Sequence, residues 1–297
     1  MAYSFKLTDQ SIDTGLRRIA VSQLETGLAE LRDEELSQAE RVHQARKRCK
    51  KLRGLLRLVR GSFSGYSEEN TAFRDAARTL SSIRDATAVL ESLEEVEAHF
   101  SDELKKAALK PLRAALEKRR DNLDESEVEE RLADMRLVFR EALDRVEDWS
   151  LDAKGADAFA PGAAKTYKRA QKAMATARKS GKAEDFHEWR KRVKYHWYHL
   201  RLLKRIWPPV MKGYVDQADT LSDELGEHHD LAVLSATAAD LLGANSDTAE
   251  LIDGLATARQ ASIEETCLAR GEKLFTDSPD ELAERWATWW DTAFKAE

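Results

Sequence analysis

Arginine, lysine and histidine recur in this 297-residue chain in a doubled arrangement suited to holding a polyanion. At a fixed offset of 144 residues, eight of the eighteen positions from His43 to Arg60 are identical in a second copy. The pairs are His43/His187, Arg46/Arg190, Lys47/Lys191, Arg48/Arg192, Lys50/Lys194, Leu56/Leu200, Arg57/Arg201 and Leu58/Leu202, and Arg60 matches Lys204 in charge. Most of what recurs is cationic, which core packing does not require. Guanidinium and ammonium groups in series neutralise successive phosphates, and arginine can bond two oxygens at once.

The spacing aligns these charges. Residues separated by 3, 4, 3 and 4 share one face of an α-helix. In the first copy that series is His43, Arg46, Lys50, Arg53, Arg57 and Arg60. One position earlier runs an apolar series, Val42, Ala45, Cys49, Leu52, Leu56 and Val59. The second copy sets His187, Arg190, Lys194, Trp197, Arg201 and Lys204 beside Phe186, Trp189, Val193, His196, Leu200 and Leu203. Lys47, Lys51 and Lys191 widen the cationic stripes, each about 25 Å long at ~1.5 Å per residue. A third basic segment carries Lys165, Lys168, Arg169 and Lys172, and Arg17 and Arg18 hold a similar place ahead of the first basic helix. Like charges on adjacent turns destabilise a helix by about a few tenths of a kcal/mol per pair. Acids elsewhere or an anionic ligand must relieve that repulsion.

Net charge is −6, yet residues 41–60, 163–182 and 187–205 hold 23 of the 48 Lys/Arg and only one acid, Glu188. Such segregation favours a focused positive site on an otherwise acidic chain. With five prolines and thirteen glycines, the composition predicts an all-α protein. No stretch approaches eighteen apolar residues and the N-terminus lacks a signal-like apolar run, so the expected compartment is cytoplasmic, with no membrane contact. Cys49 and Cys267 have neither disulfide-framework nor metal-ligand spacing, and Cys49 reads as a buried thiol.

The histidines admit a sharper chemistry. Glu40–His43 and Glu184–His187 are both Glu-x-x-His, half of a di-iron bundle signature. The bases one turn away would repel a cation, and Ser37 with Glu40 forms a capping box, so no metal or other cofactor is expected. His43 and His187 are better suited to donating to phosphate oxygens, or to carrying charge near a pKa of about 6.5. His228 and His229 could orient the basic helices or simply form an interior polar pair.

Around these residues the apolar periodicity predicts helices near 10–31, 37–60, 69–98, 101–121 and 126–148, then near 163–179, 184–206, 209–242, 247–270 and 279–295. Ser126 with Glu129 is a second capping box, Ser278-Pro279 a third start signal, Gly61 a stop, and Trp207-Pro208-Pro209 the corresponding stop after the second copy. A Gly- and Ala-rich linker at 150–161 separates repeats at 8–149 and 162–295 within a single domain spanning 1–297. The duplication continues past the basic helices, Leu80 aligning with Leu225, Arg84 with His229 and Asp85 with Asp230. The expected architecture is two similar helical bundles packed around an approximate two-fold axis.

The segments HQARKRCKKLR and HEWRKRVK resemble the CHAD family, the conserved-histidine α-helical domain, in their His, Arg-Lys and following bases. IRDATAVL and LGEHHDLAVL resemble its Arg-Asp and Leu-Gly…Asp segments, and YKRAQKAMATARK its basic helix before the second histidine. The resemblance covers about residues 8 to 295. It implies two helical bundles whose basic helices line a central groove or pore, binding of inorganic polyphosphate, and localisation to polyphosphate granules. The expected binding is non-catalytic, with granule proteins as further partners. Tyr195 and Trp197 stand where the first copy has Lys51 and Arg53, which predicts unequal half-sites. RNA or DNA is the alternative ligand, and a metal-dependent or phosphohistidine-based phosphotransfer enzyme is the further alternative. Aromatic platforms for bases occur only in the second copy, at Tyr195, Trp197 and Tyr198, with Trp189 assigned to the buried stripe.

Overall fold

The computed structural model describes residues 3–101, 106–122 and 124–294, apart from the side chains at 82, 84–87, 106 and 107. Among these residues every regular element is helical: α1 (Ile12–Glu30), α2 (Gln38–Leu58), α3 (Tyr66–Thr79), α4 (Ser81–His99), α5 (Lys110–Asp121), α6 (Glu125–Val146), α7 (Ala160–Ser180), α8 (Ala183–Leu202), α9 (Pro208–Leu242), α10 (Asp247–Leu274) and α11 (Pro279–Phe294). The packing order repeats. α1 lies against α2 and α6 as α7 lies against α8 and α11, and α2 packs on α3 as α8 packs on α9. The halves join where α2 meets α7 and α8, and where α9 meets α4 and α5. The aligned side chains of Arg84 and Asp85, and the start of the helix expected at 101–121, lie outside the described residues.

Sequence chemistry explains most of the boundaries. Ser37 and Glu40 form the reciprocal capping box of α2, and Ser278 with Glu281 does the same ahead of α11. Gly181, at φ +63°, ends α7 in the left-handed conformation that glycine adopts without penalty.

Other expectations are corrected by tertiary donors. The helix expected over 69–98 breaks at Leu80, because Arg46 takes the carbonyl of Ala77 at 2.7 Å and Arg131 that of Thr79 at 2.9 Å. Asp124, not Ser126, caps α6, its charge facing the positive helix end, and Glu129 instead pairs with Arg41 and Arg136. Gly61 plays no part in stopping α2, which ends at Leu58 against the first turn of α7. α8 ends at Leu202 rather than 206, its last carbonyl taken by Phe5 N–H at 2.9 Å, and Pro208 opens α9.

Both apolar stripes are fully used. Val42, Ala45, Cys49, Leu52, Leu56 and Val59 are completely buried, and so are Phe186, Trp189, Val193, His196, Leu200 and Leu203 to within 1 %. Burial pushes the Cys49 thiol up to about 12, as expected of an inert core cysteine. Burying these faces fixes how each basic helix rolls, and hence where its charges point. The segment at 150–161 is no loose tether. Leu151 N–H donates to Asp13, Asp152 N–H to the Ser62 carbonyl, and Phe159 is buried against Trp290. Trp286 and Trp290 of α11 are core residues.

Candidate functional site: a basic helix crossing

The two basic helices touch. A Cβ on Gly54 would stand 2.9 Å from the Cβ of Tyr198, so only glycine permits this approach of α2 to α8. His199, fully buried, donates from Nε2 to the Gly54 carbonyl at 3.2 Å. The N-terminal segment straddles the joint, Tyr3 donating to the Lys51 carbonyl at 2.8 Å while Phe5 holds Leu202. Lys51 and Arg57 lie three residues either side of Gly54 and so on opposite flanks of the contact line. The cations therefore fall into two groups, one on each flank. Lys51 and Arg57 are six residues apart on α2, about 9 Å along the helix.

The first group contains Arg53, Arg57 and Arg60 from α2, Arg169 from α7, and Arg192 with Tyr195 from α8, with Arg192 ion-paired to Glu188 one turn earlier on its own helix. The Arg57 guanidinium lies 4.0 Å from the Tyr195 ring centroid and donates to the Arg53 carbonyl and to Asn70. Arg53 donates to the same Asn70 amide oxygen at 3.3 Å. Arg60 donates to the Gly162 carbonyl at 3.1 Å and to Thr166. Neither Arg57 nor Arg60 forms an ion pair among the described residues. Burial, with repulsion from Arg169, Arg57 and Arg192, lowers Arg60 to about 10, and burial likewise lowers Arg57.

The second group contains Lys51, Lys47 and Arg48 from α2 with Arg201 from α8, around Tyr3 and Trp197. Lys51 is only 8 % exposed. Burial, then the charges of Arg48, Arg201 and Lys47, push its ammonium down to about 8. Arg201 lies over the Trp197 ring at 4.5 Å and Lys194 at 4.0 Å. Lys204 is lowered by burial and by Arg205 and Arg201. More carboxylates bear on this group: Glu30 holds Arg48, and Asp219 and Asp223 stand 3.8 and 3.7 Å from Lys194.

His43, Lys47 and Lys50 are exposed on α2, and Lys165, Lys168 and Lys172 on the outer face of α7. Arg46 is engaged at the α3–α4 break, and Lys191 pairs with Glu188. Arg190 packs against α9, 3.4 Å from where a Cβ on Gly226 would sit. Arg17 donates to the Trp149 carbonyl at 2.7 Å, and Arg18 is held by Asp9 and the Ser4 carbonyl. His187 is not a charged histidine. It packs on His229 with centroids 3.7 Å apart, and burial beside Lys191 and Arg190 lowers it to about 4. His228 stacks on Phe186 and meets Glu264 at 2.9 Å. No group of three or more metal-type ligands occurs among the described residues. Nor is any helix there long and apolar enough to cross a membrane.

Sequence reasoning missed Arg192, Tyr3, His199 and Asn70. Arg192 carried a signal as a repeated position, Arg48/Arg192, that falls outside the stripe. Tyr3 carried none.

The pattern of the CHAD domain matches residues 19–239, most of the chain. The chain belongs to the CHAD domain family. A solved structure agrees: the crystal structure of the CHAD domain from the plant Ricinus communis superposes with a TM-score of 0.61 at 16 % identity, covering 97 % of this chain and 95 % of that one. At that identity the likeness concerns the CHAD fold alone. No curated protein sequence matches. The two histidine-led basic segments fall on α2 and α8, the helices in contact at Gly54.

Proposed function

We propose that this CHAD domain binds inorganic polyphosphate without catalysing its turnover, through the cations flanking the α2–α8 crossing. The observation that carries the reading is the first group, where Arg57 is buried and Arg60 half-buried, near Arg169 and Arg192, and neither Arg57 nor Arg60 has a paired carboxylate among the described residues, although Glu188 holds Arg192. Desolvated like charges of this kind are costly unless an anion completes them. Folding has instead oriented them with neutral acceptors and aromatic faces, leaving their charge for a ligand. A linear phosphate chain fits because it presents anions continuously, over the ~9 Å of helix from Lys51 to Arg57 and beyond. Family membership supports the same ligand, since the CHAD motif implies polyphosphate binding. Cytoplasmic placement, association with polyphosphate granules and their proteins, and a two-fold relation between the repeats belong to the same proposal.

Nucleic acid is the weaker reading. Tyr195 carries Arg57 on its ring and Trp197 carries Lys194 and Arg201, while Tyr198 and Trp189 are buried, so these rings do not offer open platforms for bases. The test is calorimetric titration with polyphosphates of graded length at two salt concentrations, for the wild type and for Arg57→Gln with Arg201→Gln. Affinity should rise with length, fall steeply with salt through counterion release, and drop at least ~10-fold in the double variant. Wild-type affinity in a folded double variant would remove the crossing as the site.

A further inference from the structure

The two cation groups differ in what they face. In the first copy, α3 offers Asn70, a neutral acceptor, to Arg53 and Arg57. In the second, α9 presents a run of acids to the α8 stripe. Asp219 and Asp223, one turn apart, both approach Lys194, at 3.8 and 3.7 Å, and Asp219 also feels the charge of Arg201. Asp216, a turn earlier, is paired with Lys212 at 2.5 Å on its own helix.

These contacts are loose. Both distances exceed hydrogen-bond range, and the carboxylates are 44 % and 73 % exposed. Lys194 itself is positioned by Trp197, with its nitrogen 4.0 Å from the ring centroid, and does not depend on the acids for its placement. A lysine fixed by an aromatic face, neutralised by two exposed carboxylates, is an anion site already holding a weak, tethered anion.

We infer that Asp219 and Asp223 are built-in competitors for the second basic stripe, occupying Lys194 until a stronger anion displaces them. The inference rests on reading the crossing as an anion site. It makes the two halves unequal by design of charge. Arg57 and Arg60 carry no paired carboxylate among the described residues and fill first, whereas the Lys194–Arg201 side engages only ligands able to outcompete two carboxylates. Occupancy of the second side then depends on a chain long enough to be anchored first at the other.

The experiment is titration of long-chain polyphosphate into Asp219→Asn with Asp223→Asn. Removing two charges at this range should tighten binding roughly 3- to 10-fold at low salt. Placed in a Lys194→Gln background, the same two changes should yield less than half that gain in log affinity, because the cation they mask is gone. A matched pair of exposed acids on α6, Glu130→Gln with Asp134→Asn, controls for net charge and should shift affinity less than ~2-fold. Wild-type affinity in the α9 variant, or an equal gain from the α6 pair, would overturn the inference. A wild-type protein that binds no polyphosphate would instead remove the anion reading itself, and the reference titration reports that outcome separately.

Discussion

Lys51 gives the crossing a proton-linked signature. Its ammonium is 8 % exposed and sits 5.6 Å from the Tyr3 ring centroid, without a carboxylate in ion-pair range among the described residues. Burial and the neighbouring Arg48, Arg201 and Lys47 lower it to about 8, so near pH 8 roughly half the molecules carry a neutral amine there. A phosphate placed between Lys51 and Arg201 favours the charged form and returns the amine towards its ordinary value of about 10.4. Binding at pH 8 should therefore take up about half a proton, and at pH 7 only about a tenth. By the same linkage, affinity should fall about tenfold from pH 7 to pH 9. Calorimetry at pH 8 in two buffers of different ionisation enthalpy measures the uptake directly, as the slope of observed heat against buffer heat. Lys51→Arg keeps the positive charge but not the titration, and the slope should fall by that half proton. Binding with no proton uptake in the wild type, or an unchanged slope in Lys51→Arg, would refute the placement of phosphate at Lys51.

Two further outcomes test the fold that holds the site. Gly162→Ala should destabilise the protein by about 2 kcal/mol or more, read as a lower melting temperature, because the added Cβ would collide with the Leu58 and Arg57 carbonyls, backbone atoms that cannot turn aside. Acidification should also unfold the wild type early. Burial lowers His196 to about 3, between Tyr167, Phe275 and Trp286, so the unfolded chain binds its proton near pH 6.5 while the native state does not. Stability is present above pH 6.5 and lost as pH falls, by on the order of 3 kcal/mol for this group by pH 4. His196→Phe should remove that share of the slope in chemical denaturation measured from pH 7 to pH 4.

The helices, their two buried stripes and the doubling of the basic surface were legible because periodicity and charge are local properties of the chain. Val42 through Val59 and Phe186 through Leu203 occupy the core faces that spacing assigned to them. The break at Leu80 was not legible, since it depends on Arg46 and Arg131 reaching carbonyls 31 and 52 residues away in sequence. The position of the α6 cap was open to misreading because Asp124 and Ser126 are both good caps, and the stronger charge took the helix end.

The sequence by itself determined which residues are cationic, how they line up along each helix, and that two copies exist, because each helix sorts its own faces. Only the tertiary structure decided how those faces meet. Gly54 against Tyr198 brings α2 and α8 into contact, and that contact divides the charges between two flanks. It gives Arg192 and Tyr195 to the Arg57 side and Arg201 to Lys51, and it leaves Asp219 and Asp223 beside Lys194. Pairings of this kind depend on the distance between helices far apart in the chain, and no spacing within either helix encodes that distance.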